Sequence, residues 1–228
     1  MIAPENTMIA FTKAVQAGVK WMECDVLLAA SGEPIILHDD QLDRTTNGFG
    51  RVDQYAYRYL QTLDAGGWFH SSFANERIPA LIDVLNLIKE MQLSLNIELK
   101  TVSHPARLIE QVQQAIDTAD LTAENQVLFS SFSIPTLYEL RKRSTEANIG
   151  LLMDKWMPDW HELCLELTCC SVHVNVDCLT ENRIKKIKDT GLLLLCYTVN
   201  HPLHAKTLLS LGVDALFSDN PHMLYWIE

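Results

Sequence analysis

From Pro79 onward the sequence alternates between helical and strand patterns, and this alternation constrains the fold more than any other feature. Each helical pattern repeats its apolar residues with a period near 3.6, and each precedes a short apolar run typical of a buried strand. Strands joined by helices form a parallel sheet, because each crossover returns the chain to the same end. The predicted helix and strand pairs are Ala80–Met91 with Leu93–Leu99, Pro105–Ala119 with Gln126–Ser130, Ile134–Arg143 with Ile149–Met153, Trp160–Leu167 with Ser171–Val176, Thr180–Lys188 with Leu192–Thr198, and Pro202–Leu211 with Ala215–Ser218.

The number of parallel strands is predicted to be seven. Val19–Leu28 adds one strand to the six above, and the apolar segment Pro34–His38 follows a turn that is too short for a parallel crossover. Pro34–His38 should therefore fold back antiparallel on Val26–Ala30. A (β/α)₈ barrel needs eight parallel strands. We expect an α/β TIM barrel that lacks its first strand; the alternatives are that Pro34–His38 is the eighth strand, or that the sheet is open.

Composition is consistent with one domain spanning residues 1–228, with 39–78 as an insertion within it. The chain is 48% hydrophobic, which suffices for one sizeable core. Its net charge of −11 disfavours nucleic acid as a partner. No apolar run is long enough to span a bilayer. The six cysteines form no CxxC pair, and we interpret them as reduced thiols in a cytoplasmic protein.

Three acidic residues are predicted to lie at the carboxyl ends of neighbouring strands. Glu23 and Asp25 are two apart and share one face of their strand, and Glu98 ends the next parallel strand. Active sites of barrels lie at this end. Three converging carboxylates repel one another unless a hard divalent cation lies between them, and such oxygen ligands suit Mg²⁺ or Ca²⁺. Taken one at a time, these residues could equally be solvated strand-end charges.

Two further residues complete a candidate site. Lys100 follows Glu98 on the same face of the strand, and antiparallel pairing would bring His38 to about the level of Asp25. A histidine transfers protons readily near neutral pH, and a metal with a lysine can neutralise phosphate charge. Together these residues predict phosphoryl chemistry at the carboxylate cluster.

The ordered series of motifs resembles the glycerophosphodiester phosphodiesterases, and is most similar to their bacterial cytosolic members. The motifs are Ala3-Pro4-Glu5-Asn6-Thr7, Glu23-Cys24-Asp25-Val26, Leu37-His38-Asp39, Leu42-Asp43-Arg44-Thr45-Thr46-Asn47-Gly48, Leu63-Asp64-Ala65-Gly66-Gly67-Trp68-Phe69, Asn96-Ile97-Glu98-Leu99-Lys100 and Tyr197-Thr198-Val199-Asn200.

The resemblance implies metal-dependent hydrolysis of small glycerophosphodiesters to sn-glycerol 3-phosphate and an alcohol. It implies that Glu23, Asp25 and Glu98 bind the metal, that His38 is one of two acid–base histidines, and that Lys100 contacts phosphate. Further candidate pocket residues, for which ordinary packing is an equal alternative, are Ser130, Phe132, Tyr197 and Asn200.

One departure from the family pattern lies before Ala3. The family has His-Arg-Gly at the end of a first strand, whereas only Met1 and Ile2 precede this segment. We expect a phosphodiesterase that lacks one catalytic histidine and one phosphate-binding arginine in this chain. The alternatives are a catalytically weak barrel that binds glycerophosphodiesters or glycerol phosphate, and a lipid hydrolase of the phospholipase D kind on the same barrel.

Overall fold

An eight-stranded sheet organises the structure, a computed structural model that describes residues 2–100, 103–121 and 127–224. The strands are β1 (Trp21–Leu28), β2 (Pro34–Ile36), β3 (Ser94–Leu99), β4 (Val127–Ser131), β5 (Ile149–Met153), β6 (Ser171–Asn175), β7 (Leu193–Tyr197) and β8 (Ala215–Leu216). Their order across the sheet is β2-β1-β3-β4-β5-β6-β7-β8. Seven strands are mutually parallel and β2 is antiparallel to β1, as the strand count predicts.

Helices connect the parallel strands and cover one face of the sheet. They are α1 (Met8–Gln16), α2 (Tyr57–Leu60), α3 (Leu81–Met91), α4 (Pro105–Ala119), α5 (Ile134–Arg143), α6 (Trp160–Glu166), α7 (Glu181–Lys188) and α8 (Pro202–Ser210), with short 3₁₀ turns at Val52–Gln54, Ser71–Phe73, Val176–Cys178 and Pro221–Met223. Thr7, Ser133 and Thr180 cap α1, α5 and α7 with their hydroxyls. Gln126, which the sequence places in a strand, lies outside the described residues.

The β1–β2 hairpin confirms the antiparallel prediction. Val26 pairs with Ile36 and Leu28 with Pro34. The backbone N–H of Leu37 then donates to the carbonyl of Asp25 at 3.1 Å. This contact brings the next residue, His38, to the carboxyl-terminal half of β1.

Alternation along each parallel strand separates two environments. In β1, Met22, Cys24 and Val26 face the helices and belong to the main apolar core, whereas Glu23 and Asp25 face the concave side. The same alternation holds in β3. Polar side chains on the concave side therefore converge at the carboxyl ends of the strands, as in a barrel.

The segment 39–78 rests on a second apolar cluster of its own. Leu27, Ala29 and Ile35 supply the hairpin's side of this cluster, and Leu42 and Leu60 are among the fully buried residues that supply the other. Within the described residues, no helix is both long enough and apolar enough to cross a membrane.

Candidate active site

Three carboxylates meet where β1 and β3 run side by side. The register pairs Asp25 with Glu98, and Glu23 lies two residues before Asp25 on the same face. One carboxylate oxygen from each residue lies within 4.8 Å of the others. The sequence predicts this convergence, and the register of two neighbouring parallel strands produces it.

Charge in this cluster is only partly compensated. The ammonium nitrogen Nζ of Lys100 lies 2.7 Å from Glu98 Oε1 and 3.1 Å from Asp25 Oδ1. Burial, and then the neighbouring carboxylate charges, raise the pKa of Glu23 well above its ordinary value; burial and Asp25 also raise the pKa of Glu98. Burial by itself lowers the pKa of Lys100, but the adjacent carboxylates outweigh it and the net shift is upward. Three carboxylates and one ammonium leave an excess of negative charge, and an all-oxygen donor set of this kind fits Mg²⁺ or Ca²⁺.

Asp25 is oriented by a residue from the segment before α1. The side-chain amide of Asn6 donates to Asp25 Oδ2 at 2.8 Å, and its carbonyl accepts the backbone N–H of Asp25 at 3.3 Å. Asn6 has a left-handed backbone with φ of 55°. Lys100 donates to the other oxygen, Oδ1, so the two residues together fix the orientation of the Asp25 carboxylate.

His38 belongs to a chain of charged groups beside the cluster. Its Nδ1 lies 2.6 Å from Asp39 Oδ1. Arg44 donates to Asp39 from Nε (2.6 Å) and Nη2 (3.0 Å), and to Glu5 from Nη1 (3.0 Å) and Nη2 (2.6 Å). Hydrogen bonding to Arg44 is the main reason that the pKa of Asp39 falls to about 2. Burial and Asp25 raise the pKa of Glu98 overall, while an electrostatic interaction with His38 acts to lower it.

The remaining predicted pocket residues differ in their surroundings. Ser130 is fully buried, and its hydroxyl accepts from the side-chain amide of Asn96 at 2.9 Å. Phe132 is 41% exposed and meets Tyr197 edge to face at 6.1 Å. The Tyr197 hydroxyl is buried with no hydrogen-bond partner among the described residues. Burial, and then the charges of Asp154 and Glu98, raise the pKa of Tyr197.

Asn200, in the loop after β7, bonds to residues that follow β8. Its amide donates to Asp219 Oδ2 at 2.9 Å, while its carbonyl accepts from the Ser218 hydroxyl at 3.0 Å and from the Asp219 N–H at 2.9 Å. Substrate roles for all four residues stay predictions.

Sequence reasoning assigned no role to several residues that the structure places at the site. Asn6, Glu5 and Arg44 reach it through side-chain contacts between segments far apart in the chain. Asp219 acts electrostatically on Glu23. Asp219 follows the last strand, so the rule that found Glu98, an acidic residue at a strand's carboxyl end, could have found it too.

Comparison with known proteins identifies what this arrangement is similar to. The model of the "Glycerophosphoryl diester phosphodiesterase family" matches residues 2–223. A glycerophosphodiester phosphodiesterase of Caldanaerobacter subterraneus subsp. tengcongensis is 33% identical over 224 residues, which cover 97% of this chain and 90% of that protein. One from Bacillus altitudinis is 32% identical over 222 residues, covering 96% and 90%.

A solved structure has nearly the same backbone. An Oleispira antarctica phosphodiesterase, in complex with the product sn-glycerol-3-phosphate, superposes with a TM-score of 0.93 at 32% identity. The match covers 97% of this chain and 90% of that one.

Proposed function

The chain is an enzyme of the glycerophosphoryl diester phosphodiesterase family, and from that premise we propose that it hydrolyses glycerophosphodiesters with a divalent cation and histidine proton transfer. The convergence of Glu23, Asp25 and Glu98 beside Lys100 and His38 is the observation that carries the proposal. The reaction adds water across a phosphodiester P–O bond, which yields sn-glycerol 3-phosphate and an alcohol.

Metal dependence is proposed from the donor set. Glu23, Asp25 and Glu98 would hold Mg²⁺ or Ca²⁺, which when bound polarises phosphate oxygens. Burial, and then the charges of neighbouring carboxylates, raise the pKa values of Glu23 and Glu98, and Lys100 offsets this negative charge only in part. This charge favours binding of a cation at these side chains.

Lys100 is proposed to bind phosphate. Its side chain is 17% exposed, its ammonium lies between two carboxylates, and its pKa is raised, so it stays charged. A fixed positive charge at the cluster attracts the anionic diester and stabilises charge that develops on its oxygens. Phe132, which follows β4, and Tyr197, which ends β7, are proposed to line the substrate cleft.

His38 is proposed to move the proton. Asp39 accepts from Nδ1, which leaves Nε2 to exchange a proton with the attacking or the departing oxygen as the P–O bond breaks. Removing a general acid or base usually costs about 10²–10⁴-fold in rate. A His38→Gln variant should show a loss in that range, while the exposed His204→Gln variant, on α8, should keep wild-type turnover.

The decisive experiment couples turnover to metal binding. Release of sn-glycerol 3-phosphate from glycerophosphocholine is measured with Mg²⁺, with Ca²⁺ and with EDTA, for wild type, Glu98→Gln and the surface control Glu139→Gln. We expect EDTA and Glu98→Gln to reduce turnover by about 10²-fold or more, and Glu139→Gln to have no effect. Wild-type turnover in Glu98→Gln would remove Glu98 from the site. Binding of the diester without product release would favour the non-catalytic alternative.

A cytoplasmic location is part of the proposal. All six cysteines lie among the described residues and none of them forms a disulfide. Unpaired thiols in this number are typical of a reducing compartment. Fractionation of the native host, with activity measured in each fraction, tests the location.

A further inference from the structure

Two adjacent residues, Glu5 and Asn6, connect the two halves of the proposed site. Asn6 hydrogen-bonds directly to the carboxylate of Asp25. Glu5 binds Arg44, Arg44 binds Asp39, and Asp39 accepts from His38. One dipeptide is thus attached at one end to a candidate metal ligand and at the other to the candidate proton carrier.

We propose that Glu5-Asn6 is a positioning element that holds His38 and Asp25 in a fixed relation, Asn6 acting on Asp25 directly and Glu5 acting on His38 through Arg44 and Asp39. The inference rests on the proposed roles of His38 and Asp25 in catalysis and goes beyond them. Glu5, Asn6, Arg44 and Asp39 act through other residues, so they are positioning residues.

The geometry of Arg44 is too specific for an ordinary surface ion pair. Its guanidinium makes two hydrogen bonds to Glu5 and two to Asp39, at 2.6–3.0 Å. Isolated exposed ion pairs contribute little to stability, whereas a doubly bidentate guanidinium fixes the planes of both carboxylates. A lysine retains the charge but cannot reproduce four hydrogen bonds in one plane.

The four hydrogen bonds of Arg44 to Glu5 and Asp39, which we call the Arg44 clamp, result in a defined tautomer of His38. Arg44 lowers the pKa of Asp39 to about 2, and its two hydrogen bonds hold the ionised carboxylate against Nδ1 of His38. An ionised carboxylate only accepts hydrogen bonds, so Nδ1 of His38 must be the donor. Neutral His38 therefore carries its proton on Nδ1 and presents the lone pair of Nε2.

The positioning element has two arms: Glu5 acts on His38, and Asn6 fixes the orientation of the Asp25 carboxylate. Asn6 adopts a left-handed backbone, which asparagine tolerates better than most residues, and this conformation directs its amide at Asp25. Because Asn6 takes Oδ2 and Lys100 takes Oδ1, the carboxylate cannot rotate without losing a bond. Outer partners of metal ligands typically account for about 10–100-fold in metal affinity or activity.

The first test reads the tautomer. The ¹⁵N spectrum of the His38 imidazole is recorded at a pH of about 8, where an ordinary imidazole is neutral, and is assigned with His38→Gln. Arg44→Lys is compared with Arg51→Lys, a control in the same segment with similar exposure, 46% for Arg44 and 45% for Arg51, whose ion pairs to Asp40 and Asp53 do not reach His38.

We expect wild type and Arg51→Lys to show protonated Nδ1, and Arg44→Lys to show a mixture of tautomers with kcat lowered about tenfold and KM nearly unchanged. Glu5→Gln should likewise give a mixture of tautomers and a lower kcat. An unchanged tautomer and kcat in Arg44→Lys would overturn the His38 arm. If His38→Gln keeps full turnover, the proposed role of His38 fails, yet the spectrum still decides whether the clamp sets the tautomer.

The second test reads cation affinity by calorimetry with Mg²⁺. Asn6→Gly keeps the left-handed backbone and deletes the amide, and Asn75→Gly does the same at an exposed left-handed position that does not contact Asp25. We expect affinity to fall about 10–100-fold in Asn6→Gly alone. Equal affinity in both variants would overturn the Asn6 arm. A wild type that binds neither Mg²⁺ nor Ca²⁺ would instead refute the proposed metal site.

Discussion

Replacing the buried histidine His173 with glutamine should remove a source of acid instability. His173 lies on β6, has no exposed surface, and bonds through Nε2 to the Ser171 hydroxyl at 2.9 Å. Its Nδ1 is buried without a hydrogen-bond partner among the described residues. Burial lowers the pKa of His173 from its ordinary value of 6.5 to about 3, because a charged imidazole would be desolvated here.

The sign and size of the effect follow from proton linkage. Below pH 6.5 the unfolded chain binds a proton at this histidine and the folded protein does not, so stability is lost as pH falls from 6.5 towards 3. Each pH unit in that window removes about 1.4 kcal/mol from the free energy of unfolding. Between pH 7 and pH 5 this one residue should therefore cost about 2 kcal/mol.

Urea unfolding at pH 7 and pH 5 measures the effect, for wild type, His173→Gln and the exposed control His204→Gln. Glu23 and Glu98 act in the opposite direction, since their raised pKa values make their ionisation unfavourable in the folded protein. Comparing the change with pH among the three proteins cancels that contribution. A pH-dependent loss in His173→Gln equal to that of wild type within about 0.5 kcal/mol would refute the reasoning.

Three further substitutions test packing and charge by denaturant unfolding. Gly150→Ala places a Cβ 2.4 Å from Nε2 of His173 and should destabilise by about 1–3 kcal/mol; an unchanged midpoint would show that the ring can move aside. Arg141→Met removes hydrogen bonds to five backbone carbonyls at the ends of α5 and α6, and should lower the free energy of unfolding by about 2–4 kcal/mol. The control Arg143→Met removes an exposed ion pair to Glu139 within α5, and should lower it by less than about 0.5 kcal/mol. Lys100→Met leaves buried carboxylates without a counter-charge, and in EDTA should lower the free energy of unfolding by about 3 kcal/mol. Added Mg²⁺ should restore more stability to this variant than to wild type. Equal responses to Mg²⁺ would contradict that reasoning.

The sheet was predictable because its signals are local. The apolar runs of β5 and β6 are bounded by amphipathic helices, and their observed bounds agree with the pattern to within a residue. The antiparallel direction of β2 followed from the length of one turn. The carboxylate cluster followed from a rule of topology, that strand ends in a parallel sheet meet.

The network around Arg44 was not predictable in the same way. Glu5 and Arg44 are separated by 39 residues, and Arg44 lies in a segment with no regular strand or helix around it. No periodicity indicates which carboxylates a surface arginine will meet. The sequence left open whether Ser130 lines the pocket or packs in the interior for a related reason: its partner Asn96 is on the neighbouring strand, one layer beneath Glu98, and layering depends on register rather than on sequence pattern.

The second apolar cluster has an evolutionary consequence. Over the part of the chain that the structure describes, it shares no residue with the main core, although Val26 and Leu27 are neighbours in β1 and each belongs to a different cluster. Substitutions, insertions or deletions in 39–78 can therefore be accommodated without repacking the helices against the sheet. Selection can reshape the segment next to His38 while the scaffold that carries the carboxylates is inherited unchanged.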